Sequence, residues 1–132
     1  MHAVVIDYSR YSATTYLDGV VMVLPYPPSA NDYWRTTRTG RVFVSKDAAR
    51  YREIVKTICT GITPMAGDLF VSYRVYRPQK SGDLQNRAKV LDDALNGIAW
   101  GDDKQITKIE MERFDDKEFP RIEVVVKARE TK

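Results

Sequence analysis

Between residues 68 and 114 the hydrophobic period changes from two to about 3.6 and back to two. Residues 68–77 (DLFVSYRVYR) alternate, with Leu69, Val71, Tyr73 and Val75 on one side and Phe70, Ser72, Arg74 and Tyr76 on the other. That is a half-buried strand. After a loop at 78–82, residues 84–96 take helical spacing and stop at Gly97. Residues 104–114 (KQITKIEMERF) then read as a strand again. A strand, a helix and a strand in immediate succession bury a common face only by layering helix on sheet.

The flanks extend the pattern. Residues 19–25 (GVVMVLP) form a strand ended by Pro25, and the prolines of PYPPSANDYWR exclude helix just after it. Residues 35–45 suit a hairpin turning at Gly40, and Ser45 suits the N-cap of a helix over 48–62 carrying Val55, Ile58, Cys59 and Ile62 on one side. Residues 120–128 (PRIEVVVKA) make a last strand after a turn at DDKEF. The expected fold is α+β, a mixed β-sheet with two main helices packed on it. Residues 19–132 are expected to form one domain, with residues 1–18 an N-terminal extension of unassigned role, either an added strand or hairpin or a loosely held arm.

At 132 residues the chain suits a single core. The longest apolar run is strand-sized, and the N-terminus lacks the basic and apolar regions of a signal peptide. With a single cysteine, Cys59, there is no intrachain disulfide and no multi-cysteine zinc site. A cytoplasmic setting without membrane association is the expectation. The net charge of +3 says little, but its distribution says more. From Arg35 to Lys56 there are seven cations and two acids, whereas residues 83–103 hold five aspartates. Cations beside a tight acidic cluster suit a metal-using nuclease, in which cations hold phosphates and carboxylates hold the ion.

On a wheel of about 100° per residue, Leu84, Ala88, Leu91 and Leu95 form the core stripe of the second helix. Gln85, Lys89, Asp92 and Asn96 form a second stripe beside it, while Asn86 and Asp93 fall opposite the core. Taken singly, each acid has an ordinary explanation. Asp83 suits an N-cap, Asp102 and Asp103 an acidic turn, Asp92 and Asp93 a solvated helix face. Together they converge if the strands flanking the helix are neighbours that bring Asp83 and Asp103 to one end of the sheet. Gathered carboxylates repel unless a cation lies among them. Oxygen-only ligands suit Mg²⁺, with Mn²⁺ as a substitute, and such an ion activates water and stabilises charge on a scissile phosphate. Lys89 shares the Asp92 face, either as a solvated lysine or as a contact to that phosphate.

The segment Asp83-Leu84-x-Asn86-x-x-Lys89-x-x-x-Asp93-Ala94-Leu95, followed by Trp100-x-Asp102-Asp103-x-Gln105-Ile106, resembles the RusA family of Holliday junction resolvases. Upstream, Pro27, Pro28, Ser29, Asn31, Tyr33, Trp34 and Arg35 resemble it as well, and the likeness runs over about residues 20–128. It implies a homodimeric crossover junction endodeoxyribonuclease that binds four-way DNA junctions and nicks two opposing strands using Mg²⁺. Such proteins occur in bacteria, their phages and prophages. The resemblance places catalytic acids at Asp83 and Asp103 and the catalytic lysine at Lys89.

One position departs. The family carries an acid where this chain has Gln85, and a neutral amide is a weaker Mg²⁺ ligand than a carboxylate. Either Asp92, two turns along the same face, supplies the missing charge and joins Asp83 and Asp103 as a ligand, or the site is impaired and the protein binds junctions without cutting them. Arg35, Arg38, Arg41, Lys46 and Arg50 are candidate phosphate contacts, with Asn86 a further DNA contact from the helix. Tyr33 and Trp34 either pack their loop onto the domain or stack on a base at an opened junction centre. The third reading is a basic α+β domain binding protein or RNA, its acids serving as caps and turns. Metal dependence separates the first reading from the other two, and preference for branched DNA separates the second from the third.

Overall fold

In a computed structural model of the chain, residues 8–29, 33–78 and 84–129 are described, the side chains of Arg35, Leu84, Gln85 and Asn86 excepted. The strands are β1 (Ser12–Thr15), β2 (Gly19–Pro25), β3 (Trp34–Thr36), β4 (Val42–Val44), β5 (Leu69–Arg77), β6 (Ile106–Asp115) and β7 (Arg121–Ala128). The helices are α1 (Lys46–Ile58) and α2 (Leu84–Leu95). Five strands form one sheet in the order β1-β2-β7-β5-β6, and among the described residues β3 and β4 pair only with each other. β5 and β6 run parallel while the other pairs are antiparallel, so the sheet is mixed, as the alternation of strand and helix patterns implies.

Period-two patterning sets the faces. Val20, Met22 and Leu24 on β2, Ile122, Val124 and Val126 on β7, and Leu69, Val71, Tyr73 and Val75 on β5 all turn toward the helices and are buried. Tyr51, Val55 and Cys59 meet them from α1 and its C-cap, and Leu91, Ala94 and Leu95 from α2. Burial of this apolar surface is the main term holding the layers together. Cys59 is packing, its thiol 3.6 Å from the Met22 sulfur, and burial pushes its pKa up to about 11.

Local signals fix the boundaries. Ser45 caps α1, its Oγ accepting from the Ala48 amide at 3.2 Å. Gly97, with φ of 83°, takes the left-handed conformation that lets the chain leave α2. Trp100 then turns inward and is fully buried, anchoring the turn that carries Asp102 and Asp103.

Two expectations are corrected. α2 is covered on two sides, because Val90 is buried against Tyr33 and Ala48 while Leu91 and Leu95 face the sheet. Asp93 therefore lies at a covered boundary, not opposite the core. Second, β5 and β6 are neighbours but parallel, with Leu69 opposite Ile106 and Arg77 opposite Asp115. The chain leaves β5 at one end and enters β6 at the other, so adjacency of the two strands does not by itself put these two ends side by side; Asp83 itself lies outside the described residues. It is α2, returning between them, that approaches the start of β6. In addition, part of the N-terminal extension joins the sheet, since β1 pairs along β2 from Ser12 opposite Val23 to Thr15 opposite Val20.

Candidate active site

The site is built on α2 and the turn before β6. Asp92 lies on the third turn of α2 and is half-buried. Its Oδ1 accepts a hydrogen bond of 2.5 Å from the Tyr73 hydroxyl, which projects from the middle of the helix-facing side of β5. Tyr73 is fully buried, so its hydroxyl needs a partner. The same bond fixes the Asp92 carboxylate. Burial raises the Asp92 pKa, the Tyr73 bond opposes that rise, and the nearby charge of Asp103 adds to it.

Asp103 opens a short 3₁₀ turn, Asp103–Gln105, and is exposed. Its neighbour Asp102 has a structural task, accepting from the Lys104 amide at 2.9 Å. Gln105 closes a capping box with Asp102. Its Oε1 accepts from the Gly101 amide at 2.9 Å and the Asp102 amide at 3.0 Å. Its Nε2 donates to the carbonyls of Met65 at 2.8 Å and Gly67 at 2.9 Å. One side chain therefore braces the acidic turn against the segment leading into β5. Sequence reasoning noted Gln105 only as part of a motif, although the Asp-x-x-Gln spacing is itself a capping signal. Tyr73 was missed as a partner of Asp92, since alternation gives a residue's face but not the group across from it.

Asp93, adjacent to Asp92, does different work. Its carboxylate accepts from the hydroxyl of the buried Tyr33, and the Arg52 Nε lies 4.0 Å away. Burial, with the Asp93 carboxylate beside it, holds the Tyr33 hydroxyl protonated well above the ordinary phenol range. Tyr33 is thus a loop anchor and does not offer its ring for base stacking. Trp34 packs edge-on against it, with ring centroids 4.7 Å apart.

Lys89 is exposed on α2, one turn before Asp92 and Asp93. Arg38 and Arg41, around the β3–β4 turn, and Lys46 and Arg50, on α1, are exposed. Asp83 lies outside the described residues, as do the side chains of Arg35 and Asn86. Among the described residues no three metal-binding side chains gather. Asp92 and Asp103 supply two hard oxygen donors that repel each other, and neither is in an ion pair among the described residues. That donor chemistry fits a divalent cation such as Mg²⁺ and offers nothing soft enough to prefer a thiophilic metal.

The domain is a layered α+β fold with acids on α2 and on the turn before β6, and an exposed basic hairpin anchored to α2. Comparison with known proteins makes the class specific. Residues 25–127 match the family model described as endodeoxyribonuclease RusA. The crossover junction endodeoxyribonuclease of Enterobacteria phage 82 is 29% identical over 110 residues, covering 80% of this chain and 91% of that protein. The protein of the same name from Escherichia coli K12 shows the same identity and coverage. The one from Enterobacteria phage HK97 is 34% identical over 76 residues, which is 58% of this chain and 60% of that protein. The chain belongs to the RusA family of endodeoxyribonucleases, enzymes that hydrolyse phosphodiester bonds in DNA.

Proposed function

We propose that the protein is a Mg²⁺-dependent endonuclease that resolves four-way DNA junctions by paired nicks. The observation that carries the reading is the half-buried Asp92, its carboxylate fixed by the Tyr73 hydroxyl, within a chain of this family. Asp83, Asp92 and Asp103 would hold the ion, with Asp92 standing in for the acid that Gln85 lacks. A bound Mg²⁺, or Mn²⁺ in its place, supplies Lewis-acid chemistry, activating water and stabilising charge on the scissile phosphate. The protein's own groups do the rest. Tyr73 holds one oxygen of Asp92 and leaves the other for ligation. Gln105 keeps the Asp103 turn rigid. Lys89 steadies the phosphate or the leaving oxygen from the same helix. Arg35, Arg38, Arg41, Lys46, Arg50 and Asn86 position the DNA backbone.

A homodimer suits two nicks on a two-fold junction, because a symmetric pair of sites meets a symmetric pair of strands. Relatives named from phages and Escherichia coli support a bacterial or prophage setting and a cytoplasmic DNA substrate. No helix among the described residues is long and apolar enough to cross a membrane. The test is cleavage of an end-labelled synthetic four-way junction with Mg²⁺ or with EDTA. Symmetric nicks that require Mg²⁺ are expected. A junction that is bound and left uncut with Mg²⁺ overturns the cleavage reading in favour of a junction-binding protein impaired at Gln85.

A further inference from the structure

The β3–β4 hairpin is a two-stranded ribbon outside the main sheet, with three residues in each strand. Such a ribbon is marginal alone and needs an anchor. Tyr33 supplies it, through its hydroxyl bond to Asp93 on α2 and its carbonyl, which accepts from the Ser45 amide at 2.8 Å. Trp34 and Val44, which pair across the ribbon, pack against the buried Tyr33, Ala48 and Val90. Alternation turns Phe43 to the opposite face. Phe43 remains 46% exposed and Val42 62% exposed.

A single exposed apolar side chain means little. Its surroundings matter here. From Tyr33 to Lys46 the sequence has four cations, Arg35, Arg38, Arg41 and Lys46, and no acid. A second copy seated symmetrically on this ribbon would set like charges against like. A polyanion with exposed aromatic faces matches both features of the patch, its charge and its apolar surface. Intact duplex offers the charge but keeps its base faces stacked. A branch point, where stacking is interrupted, offers both.

We propose that Phe43 stacks on a nucleobase unstacked at the centre of the DNA junction, with Arg38 and Arg41 on the flanking phosphates. This rests on the junction-resolving reading and names the group that selects branched over linear DNA. Stacking of a base on an aromatic side chain is strong enough to change affinity at least about fivefold on truncation, whatever the base.

The experiment measures the 132-residue chain in EDTA against two probes, a four-way junction carrying 2-aminopurine at the branch point and a linear duplex of equal length. The wild type is expected to prefer the junction and to change 2-aminopurine emission. Phe43→Ala is expected to lose most of the emission change and at least about fivefold in junction affinity, with duplex affinity held within about twofold. Phe43→Trp is expected to restore both. Equal behaviour of Phe43→Ala and wild type, or a parallel loss on both probes, overturns the proposal and leaves the junction-resolving reading standing. So does a shift of Phe43→Ala from dimer to monomer in sedimentation, which assigns the patch to a second copy. A wild type without junction preference overturns both readings.

Discussion

Position 85 carries an amide where a carboxylate is expected, and the question is whether Asp92 makes good the loss. Asp92 is half-buried, hydrogen-bonded by Tyr73 and within the field of Asp103. Burial beside a like charge is unfavourable for a carboxylate in the absence of a cation. Asp92→Asn is expected to lower Mg²⁺-dependent junction cleavage at least about 100-fold with junction binding retained, as read by gel shift and single-turnover cleavage. Asp83→Asn should abolish cleavage while keeping or improving binding, because a charge repelling the phosphates is removed. Gln85→Asp should raise the rate little. An unchanged rate for Asp92→Asn, or a large gain for Gln85→Asp, shows that Asp92 does not substitute. The helical wheel made the shared stripe of Gln85, Lys89 and Asp92 legible. It could not reveal Tyr73, because a partner on another strand depends on how the helix crosses the sheet.

Among the elements, the turn between α2 and β6 depends most on one side chain. Gln105 joins two amides on one side to two carbonyls on the other. Gln105→Ala should cost about 2–3 kcal/mol, from net hydrogen bonds lost and partly buried polar groups left unsatisfied. Urea unfolding should show this as a lower midpoint with an unchanged slope. Gln105→Glu keeps the acceptor but sets a carboxylate oxygen against the two carbonyls, so it should cost at least as much. Element types and order were legible from periodicity, as were Ser45 as a cap and Gly97 as a stop. The faces of α2 were only half legible. The wheel found the stripe against the sheet but not the second contact, where Tyr33 and Ala48 cover Val90 and draw in Asp93. A loop rich in proline and a neighbouring helix supply that contact, and neither leaves a periodic mark on α2.

For the molecule as a whole, the charge distribution sets how it meets DNA. Exposed Arg38, Arg41, Lys46 and Arg50 lie on the hairpin and α1, and each phosphate contact releases counterions. Junction affinity should fall linearly on a log–log plot against salt. Arg41→Ala should weaken binding across sequences and reduce the slope by about 1 per protomer. A slope that does not change removes Arg41 from the contact set. The α+β class and the mixed sheet followed from the strand and helix patterns. Strand order did not, because β2, β7 and β5 have similar alternating sequences and any of them pairs acceptably with any other. The parallel pairing of β5 with β6 is set by the crossover through α2, a long-range choice invisible in a local window.

The pairing of β1 with β2 bears on how this molecule stays dispersed. Without the four residues Ser12–Thr15, the outer side of β2 would face solvent along GVVMVLP, a flat, uncharged, strongly β-forming run. Such a border recruits strands from other molecules and seeds aggregates. The opposite border, β6, needs no such cover, since it carries Lys108, Glu110, Glu112, Arg113 and Asp115 along its length. One margin of the sheet is guarded by charge and the other by a short added strand. The family match begins at Pro25, so a chain trimmed to the matched segment would lose both the guarding strand and most of the strand it guards.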